Sequence, residues 1–322
     1  MRAAVHADYG LPEEVIAVAA APLPVLKPKQ VLVRMCAAGV NWADQSMTLG
    51  EPLLMRLGYG FRRPRAGIRG MEVAGVIEAV GVKVTDWKAG DEVIGWGTGT
   101  FAEFVAIDAK RLVAKSEALT FDRAAGLPVA GCTALQAMRD VAKVQPGDQV
   151  LVVGASGGIG SFAVQIAKAM GAEVTGVCST PNIESVRSLG ADHVIDYTER
   201  DFTDDEQKYD AILDIADKHS LSERRSALKA KGTLIPNSGE GGRWLGSIGR
   251  ILKARIISPF VSHRLRPFLS VTKRADVAAL VDMAVAGTLT PVVGVTYPLD
   301  QAGEAVAEAG SGHARGKVIL TA

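Results

Sequence analysis

The segment that most limits the possible folds of this chain is a strand, a glycine-rich turn and a helix in direct succession. Residues 149–153, QVLVV, form a short apolar run that is typical of a buried strand. The turn GASGGIG follows at residues 154–160, and residues 161–170 have the apolar spacing of a helix that ends at Gly171. A strand that leads through a tight turn into a helix favours a parallel sheet, because parallel neighbours need a crossover between them.

Two glycines of this turn have distinct predicted roles. Gly157 would let the backbone approach a pyrophosphate, and Gly160 would let the helix pack against the strand. The free amides at the start of the helix favour an anion, so the turn is interpreted as a Rossmann dinucleotide-binding fingerprint. Ala155 replaces the usual first glycine, a departure that a slightly wider turn would accommodate. The alternative is that the glycines serve only a tight turn.

The same alternation continues along the chain. Further strands are predicted at residues 174–178, 193–196, 210–214 and 232–235, with helices at 184–189 and 221–229. Strands that alternate with helices predict an α/β fold with a doubly wound parallel sheet.

The rest of the chain has a different pattern. Residues 1–119 contain short β-branched runs separated by Gly and Pro turns, which predicts a mostly β domain. A helix is predicted at 276–286, but the strands predicted at 292–297 and 317–321 break the alternation and are assigned to the β domain. The 322 residues suit two domains, predicted to be 1–122 with 275–322, and 123–274.

Charge and cysteine content exclude several classes of protein. Lys and Arg number 36 against 35 Asp and Glu, so no overall field would hold a nucleic acid. Three widely spaced cysteines form neither a disulfide framework nor a zinc cage. No signal peptide and no run of about 18 apolar residues is seen, so a cytoplasmic location is expected. The expected partner is a small-molecule substrate, with no nucleic acid and no membrane, and the expected assembly is a homodimer.

The residues after the second strand bear on the choice of dinucleotide. An NAD-binding enzyme usually has Asp or Glu there, which accepts hydrogen bonds from the adenine ribose. This chain has VCSTPN at residues 177–182, where Ser179, Thr180 and Asn182 can donate to a 2′-phosphate. The absence of a carboxylate in this stretch favours NADPH over NADH, although no Arg or Lys follows immediately.

Several motifs together resemble the zinc-independent quinone oxidoreductase branch of the medium-chain dehydrogenase/reductase superfamily. The resemblance runs nearly end to end and implies a GroES-like β-barrel domain joined to a Rossmann domain. The motifs are AGVNWAD (38–44), GMEVAGVIEAVG (70–81), GDEVIG (90–95), LPVAGCTALQ (127–136), QPGDQVLVVGASGGIG (145–160) and LGADHVIDY (189–197).

The resemblance also implies that the enzyme works without zinc. Zinc-dependent members would have Cys in place of Asn41, His in place of Met71 and a third ligand near Val129, and the lobe with four cysteines is missing. An amide and a thioether would not replace the thiolate and imidazole ligands that hold zinc. No metal ligand is therefore expected, although Glu72 and Asp44 of the pattern remain.

The motif and the resemblance together indicate the cofactor contacts. Asn41 and Thr133 would lie near the nicotinamide, the glycine turn at the pyrophosphate, and Tyr197 beside the ribose phosphate. Lys317 would reach the pyrophosphate, with a solvated charge before an edge strand as the alternative. Pro181 stands where nearer relatives often have Arg, which weakens the inference of NADPH. The expected set is Asn41, Thr133, Ala155, Ser156, Gly157, Gly158, Ile159, Gly160, Ser179, Thr180, Asn182, Tyr197, Ile215, Ala216, Asn237, Ser238, Phe268, Leu269 and Lys317.

Three residues are candidates for catalysis. Hydride transfer to a quinone or an α,β-unsaturated carbonyl needs a donor that stabilises charge on the acceptor's oxygen, and Asn41 is the predicted donor to substrate or cofactor ribose. Tyr59 is a candidate proton donor, with packing as the alternative. Asp44 is expected to orient its loop. The five histidines have no Ser or Cys partner at a recognisable spacing, which excludes a hydrolase.

Three functions remain open. The first is an NADPH-dependent reductase of quinones or enones, for which residues 47–69 and 239–266 are expected to line the substrate pocket. The second is a zinc-free alcohol or aldehyde dehydrogenase, which the missing Lewis acid disfavours. The third is an NADPH-binding sensor protein with little turnover.

Overall fold

The chain forms two compact units in this computed structural model, which describes residues 1–65, 67–216, 219–237, 244, 256–258 and 261–322. The first unit comprises Met1–Cys132, Thr272–Gly287 and Pro291–Ala322, and the second comprises Thr133–Val271 and Thr288–Thr290. The first unit thus extends past the expected boundary at residue 122, because the helix Phe121–Ala125 packs against strands of the first unit.

The first unit is built on a mostly antiparallel sheet of short β-branched strands. The strands follow the order β14-β15-β3-β4-β5-β7, with β6 also paired to β3, while β1 and β2 pair with each other. Only the pair β14 and β15 is parallel among these strands. The strands are β1 (Arg2–His6), β2 (Ile16–Ala20), β3 (Gln30–Val40), β4 (Glu72–Val80), β5 (Glu92–Trp96), β6 (Phe104–Asp108), β7 (Leu112–Ala114), β14 (Val293–Pro298) and β15 (Lys317–Thr321).

Strand β3 is the centre of this sheet. Its first half pairs with β6 and its last residues pair with β15, while β4 pairs along the opposite edge. Val31, Val33 and Met35 alternate along β3 and point into a core that also contains Ile77 and Phe101. The residue that follows β3 is Asn41, so the strand places this side chain beside the starts of β4 and β15.

Helices connect and cover the strands of the first unit. The sequence predicts mostly β structure before residue 119, but Trp42–Leu49 is a helix between Asn41 at its N-cap and Gly50, which has φ 65°. Gly50 ends the helix in the left-handed conformation that glycine adopts easily. The helices are α1 (Pro12–Val15), α2 (Trp42–Leu49), α3 (Arg56–Tyr59), α4 (Phe121–Ala125), α9 (Arg274–Val285) and α10 (Ala302–Gly310), and α5 (Cys132–Gln136) begins at the boundary with the second unit.

The second unit has the predicted parallel sheet. The strand order is β10-β9-β8-β11-β12-β13, and every pair is parallel. Apolar residues on both faces are buried, Leu151 and Ile212 on one face and Val152 and Leu213 on the other, as expected when helices cover both sides of a sheet. The strands are β8 (Gln149–Val153), β9 (Glu173–Cys178), β10 (His193–Asp196), β11 (Tyr209–Asp214), β12 (Leu228–Pro236) and β13 (Arg264–Leu265), and the helices are α6 (Gly158–Ala169), α7 (Ile183–Ser188) and α8 (Leu221–Ser226).

The prediction of an α/β fold is therefore confirmed, and a clear difference in element boundaries lies between α8 and β12. The helix predicted at 221–229 ends at Ser226, because Leu228 pairs with Tyr209 and begins β12. In the described part of the chain, no helix combines the length and the apolar character needed to cross a lipid bilayer.

Candidate functional site

The strand order of the second unit creates a crevice at one edge of its sheet. The chain runs from β8 through β9 to β10 on one side and returns through β11 to β13 on the other, so the direction reverses between β8 and β11. Ligands of doubly wound sheets bind at the carboxyl ends of the strands beside such a reversal. Gly154 follows β8 and Ile215 follows β11, and a Cβ on Gly154 would lie 3.5 Å from the Cβ of Ile215.

In the glycine turn between β8 and α6, some residues allow close packing and others are available for binding. A Cβ on Gly160 would lie 2.1 Å from Gly154 O, so only glycine allows the helix to start this close to the strand. A Cβ on Gly157 would lie 3.4 Å from Gly154 O, an ordinary van der Waals contact, so the fold itself does not require glycine at this position. The helix has no side-chain cap at Gly157, so the amides of its first turn lack intrahelical acceptors.

The residues of this turn that were predicted to contact a pyrophosphate differ in burial. Ser156, Gly157, Gly158 and Ile159 are partly exposed, whereas Gly160 is buried. Ala155 is also buried and donates its backbone N–H to Val177 O at 2.9 Å. The structure therefore gives Ala155 and Gly160 roles in packing and leaves the four residues between them available to an anion.

The end of β9 brings several polar side chains together. Thr180 is exposed and its Oγ1 lies 3.1 Å from Thr198 Oγ1, while Asn182 is buried and donates through Nδ2 to Ser179 Oγ at 3.0 Å. Tyr197 follows the neighbouring strand β10 and is 43% exposed. Ser179, Thr180 and Tyr197 can therefore meet a ligand, whereas Asn182 supports Ser179 from inside.

Sequence reasoning missed a carboxylate at this place. Asp196 ends β10 and pairs in register with Cys178 at the end of β9. Its Oδ1 accepts hydrogen bonds from the backbone N and the Oγ1 of Thr198 at 2.9 and 2.7 Å, and hydrogen bonding from Thr180 contributes most to holding its pKa below the usual range. Asp196 is thus an ionised carboxylate next to Thr180. The parallel pairing expected for β9 and β10 could have indicated that Asp196 lies beside the end of β9.

Most of the remaining residues predicted to contact the cofactor in the second unit lie just after the carboxyl ends of β11, β12 and β13. Ile215 donates its N–H to Val153 O, and exposed Ala216 donates to Asp214 Oδ1. Asn237 follows β12 and donates to Asp214 O, while half-buried Phe268 and exposed Leu269 follow β13. Thr133 is buried in α5. Ser238 and most of the predicted pocket segment 239–266 lie outside the described residues.

The first unit has a separate polar cluster around Asn41. Lys317 Nζ donates to Asn41 Oδ1 at 2.7 Å, to Glu72 Oε1 at 2.8 Å and to Val40 O at 2.9 Å. Asn41 Nδ2 donates to the same Glu72 oxygen at 2.9 Å, and Val129 N donates to Glu72 Oε2 at 2.7 Å. Glu72 is 0% and Lys317 3% exposed.

This cluster corrects one expectation and adds one residue. Lys317 is neither a solvated charge nor free to donate to a pyrophosphate, because an ammonium has three protons and all three are donated within the first unit. Glu72 was not among the predicted site residues. Its position in an otherwise apolar stretch, MEVAGVI at 71–77, was the signal that could have found it.

Asp44 lies one helical turn after Asn41. Its Oδ2 accepts the backbone N–H of Asn41 at 2.9 Å, and within the described ranges its buried Oδ1 has no hydrogen-bond partner. Burial raises the pKa of Asp44 to about 7. The contact with Asn41 N agrees with the expectation that Asp44 orients this loop.

Tyr59 is apart from this cluster. It ends α3, is 37% exposed, and makes no side-chain hydrogen bond to Asn41, Glu72 or Lys317 among the residues that the structure describes.

His6 and Arg69 form a buried pair near Asp44. His6 Nδ1 accepts a hydrogen bond from Arg69 Nη2 at 2.7 Å, and His6 Nε2 donates to Thr48 O at 3.3 Å. Burial, with the nearby Arg69 charge, lowers the pKa of His6 to about 4.

At the positions where the family resemblance places zinc ligands, this chain has Asn41, Met71 and Val129. Asn41 and Val129 both bind Glu72, and no group of three or more His, Cys, Asp or Glu suited to a metal occurs in the described part of the chain. A neutral amide, a thioether at Met71 and a backbone amide are a poor donor set for zinc.

Two family models match the chain. The alcohol dehydrogenase GroES-like domain matches residues 27–117, and the zinc-binding dehydrogenase family matches residues 189–320. The first match covers the sheet of the first unit from before β3 to the end of β7, and the second begins after α7.

Similar proteins match nearly the whole chain. A chloroplast envelope quinone oxidoreductase homolog of Arabidopsis thaliana is 32% identical over 93% of this chain and 92% of its own length. An NADPH-dependent alkenal/one oxidoreductase of the same plant is 30% identical over 99% of this chain and 79% of its own. The solved structure of the quinone oxidoreductase from Coxiella burnetii has a TM-score of 0.87 with 26% identity, and the match covers 100% of this chain and 99% of that one.

Proposed function

Because the chain belongs to the medium-chain dehydrogenase/reductase superfamily, in its quinone oxidoreductase-like branch, we propose that it reduces a quinone or an α,β-unsaturated carbonyl with NADPH and without zinc. The observation that supports this most directly is the Asn41 cluster. Where zinc-dependent members of the superfamily bind their metal, this chain has an amide whose partners are a buried lysine and a buried glutamate.

The second unit fits a dinucleotide. The partly exposed turn at Gly157 and the first-turn amides of α6 suit a pyrophosphate, with Ser156 to Ile159 as its contacts. Ser179, Thr180 and Tyr197 would donate to a ribose phosphate. When bound, the nicotinamide supplies the hydride. The protein's own task is to hold the pyrophosphate and the ribose phosphate of the cofactor. It must also offer a hydrogen-bond donor to the oxygen of the acceptor.

The preference for NADPH rests on those three hydroxyl groups and on the name of the alkenal/one-reducing relative. Each hydrogen bond to a charged phosphate contributes about 1.5–3 kcal/mol, so one or two bonds would give a clear preference. Asp196 acts in the opposite direction, because its carboxylate beside Thr180 repels a phosphate.

The reaction class follows from what Asn41 can do. An alcohol must lose its proton as hydride leaves, which requires a Lewis acid or a base at the oxygen. The carbonyl oxygen of an enone or quinone needs only a hydrogen bond while hydride adds to carbon, and solvent can complete the protonation. Asn41 Nδ2 is such a donor.

The test is a spectrophotometric screen, after washing with a chelator, of NADPH oxidation by quinones, enones and aldehydes and of NADP⁺ reduction by primary alcohols. We expect turnover of at least one quinone or enone and none of the alcohols in the reverse direction. Fast oxidation of primary alcohols, or the absence of turnover across the whole panel, would contradict the proposal.

A further inference from the structure

Asn41 is held by partners that act on both ends of its amide. From this arrangement we infer that Lys317 and Glu72 are positioning residues, which fix the Asn41 amide so that one N–H proton is left uncommitted, while its oxygen faces Lys317 and the capping box with Asp44. The site then takes a ligand oxygen that accepts a hydrogen bond and disfavours a ligand donor. The inference rests on the proposed function for the identity of that oxygen, which would be the carbonyl oxygen of the quinone or enone.

The orientation of the amide follows from the chemistry of its neighbours. Lys317 Nζ can only donate, so the atom 2.7 Å from it is Asn41 Oδ1. Glu72 Oε1 is a carboxylate oxygen that only accepts, so the atom 2.9 Å from it is Asn41 Nδ2. A flipped amide would place two donors together at Lys317 and two acceptors together at Glu72. Both contacts would become repulsive, so a single orientation is stable.

The two charged partners are themselves immobile. Both oxygens of Glu72 accept hydrogen bonds, from Asn41 and Lys317 at Oε1 and from Val129 N at Oε2. Neither Glu72 nor Lys317 has enough exposed surface for water to replace these bonds. Gly39 contributes by its size, because a Cβ there would lie 2.2 Å from Glu72 Oε1.

The count of protons identifies the free group. Asn41 Nδ2 has two protons, one of which is donated to Glu72, and no described residue accepts the other. Asn41 is half-buried, so part of the residue is open to a ligand. As hydride adds to an enone or quinone, negative charge grows on the carbonyl oxygen, and an aligned N–H stabilises that charge without reorganisation.

The first experiment needs neither cofactor nor substrate. The side-chain amide of Asn41 is observed by ¹H–¹⁵N NMR of the full chain, and its signal is assigned by its loss in Asn41→Asp. A proton held by a buried carboxylate should exchange with solvent about tenfold more slowly than that of an exposed asparagine. Exchange of both Asn41 protons at the rate of an exposed amide in the wild type would overturn the inference without any further variant.

A paired variant tests the two positioning residues. Glu72→Gln/Lys317→Met removes both charges at once and keeps the side-chain volumes, so no buried charge is left unpaired. We expect the slow Asn41 proton to exchange about tenfold faster in this variant. The matched control is Glu92→Gln/Lys115→Met, which removes a 2.8 Å Lys–Glu pair with a buried lysine from the same unit and should leave the Asn41 signal unchanged. Equal exchange in wild type and paired variant would refute the assignment.

The second experiment measures the polarity of the site during turnover. Asn41→Asp replaces the N–H by an oxygen of the same size and keeps a good N-cap for α2. We expect kcat for the best enone to fall about 10²-fold, a larger factor than the change in the NADPH dissociation constant. An unchanged kcat would refute the inference. If the wild type reduces no quinone or enone at all, the proposed function fails, and the NMR result still decides the orientation of Asn41.

Discussion

Two buried side chains of the first unit, Asp44 and His6, have pKa values shifted in opposite directions. The pKa of Asp44 rises from 3.8 to about 7, so the folded protein holds a proton between these values that the unfolded chain has lost. Its contribution to stability therefore falls as pH rises through this range. The pKa of His6 drops from 6.5 to about 4, so the unfolded chain binds the extra proton and stability rises with pH.

The two effects overlap between about pH 4 and 6.5 and oppose each other. We expect Asp44→Asn to make the free energy of unfolding rise with pH in this window, by about 1.4 kcal/mol for each unit of pKa difference in His6. His6→Asn should make the free energy of unfolding fall as pH rises through the same window. Urea unfolding at a series of pH values measures both slopes. A wild-type slope as steep as that of either variant would contradict the cancellation.

At the end of β10, the carboxylate of Asp196 lies beside Thr180, where we expect it to oppose binding of the 2′-phosphate of NADPH. Asp196→Asn should increase the ratio of NADPH to NADH affinity roughly 10-fold. Fluorescence titration with both dinucleotides gives the ratio. Asp192→Asn is the control, since Asp192 precedes the same strand and pairs with Lys168.

The opposite change is Thr180→Asp, which adds a second carboxylate to this place. We expect it to shift the preference toward NADH, because a new negative charge repels the 2′-phosphate and can accept hydrogen bonds from a free ribose. Equal NADPH affinity in wild type and Thr180→Asp would show that the phosphate binds elsewhere.

At the scale of elements, the glycine turn between β8 and α6 contains one glycine needed for packing and one expected to be needed for cofactor binding. Gly160→Ala should lower the free energy of unfolding by about 1–3 kcal/mol, because the new Cβ meets backbone atoms of Gly154 and Ala155. Gly157→Ala should leave the stability of the cofactor-free protein nearly unchanged and weaken NADPH about tenfold, equivalent to about 1.4 kcal/mol. Thermal unfolding and titration of the two variants check this contrast. Similar destabilisation by both would contradict it.

Sequence patterns predicted elements well where local signals suffice. The apolar runs of the second unit locate β8 to β12 to within a few residues, since strand length and flanking glycines are local features, whereas the two-residue strand β13 was not predicted. Helix α2 was missed because its eight residues, WADQSMTL, have little apolar periodicity. Its caps, Asn41 and Gly50, were visible in the sequence and would have indicated it.

Contacts between distant segments were beyond reach of the sequence. Glu72 and Lys317 are 245 residues apart, and only the pairing of β3 with both β4 and β15 brings them together. The same holds for Asp196, which the pairing of β10 with β9 places next to Thr180. Asn41 could be predicted as a site residue from its motif, but the partners that fix its amide could not.

At the scale of the whole molecule, we expect the purified protein to contain well below one zinc per chain and to keep its activity after chelation. The reason is that the amide of Asn41, the thioether of Met71 and the backbone at Val129 do not form a zinc donor set. Elemental analysis, paired with activity before and after dialysis against a chelator, tests this. About one zinc per chain after washing would show that the metal has other ligands.

The pairing of β15 with β3 also has a consequence for the order in which the protein is made. A ribosome releases residues 30–40 and 72 long before residue 317, and the entire second unit emerges between them. During that interval the carboxylate of Glu72 has no lysine to neutralise it, so the first unit has to stay open to water. The second unit, whose main segment is continuous from Thr133 to Val271, can fold meanwhile. We therefore expect the second unit to complete its fold before the first, although the first begins to be translated earlier.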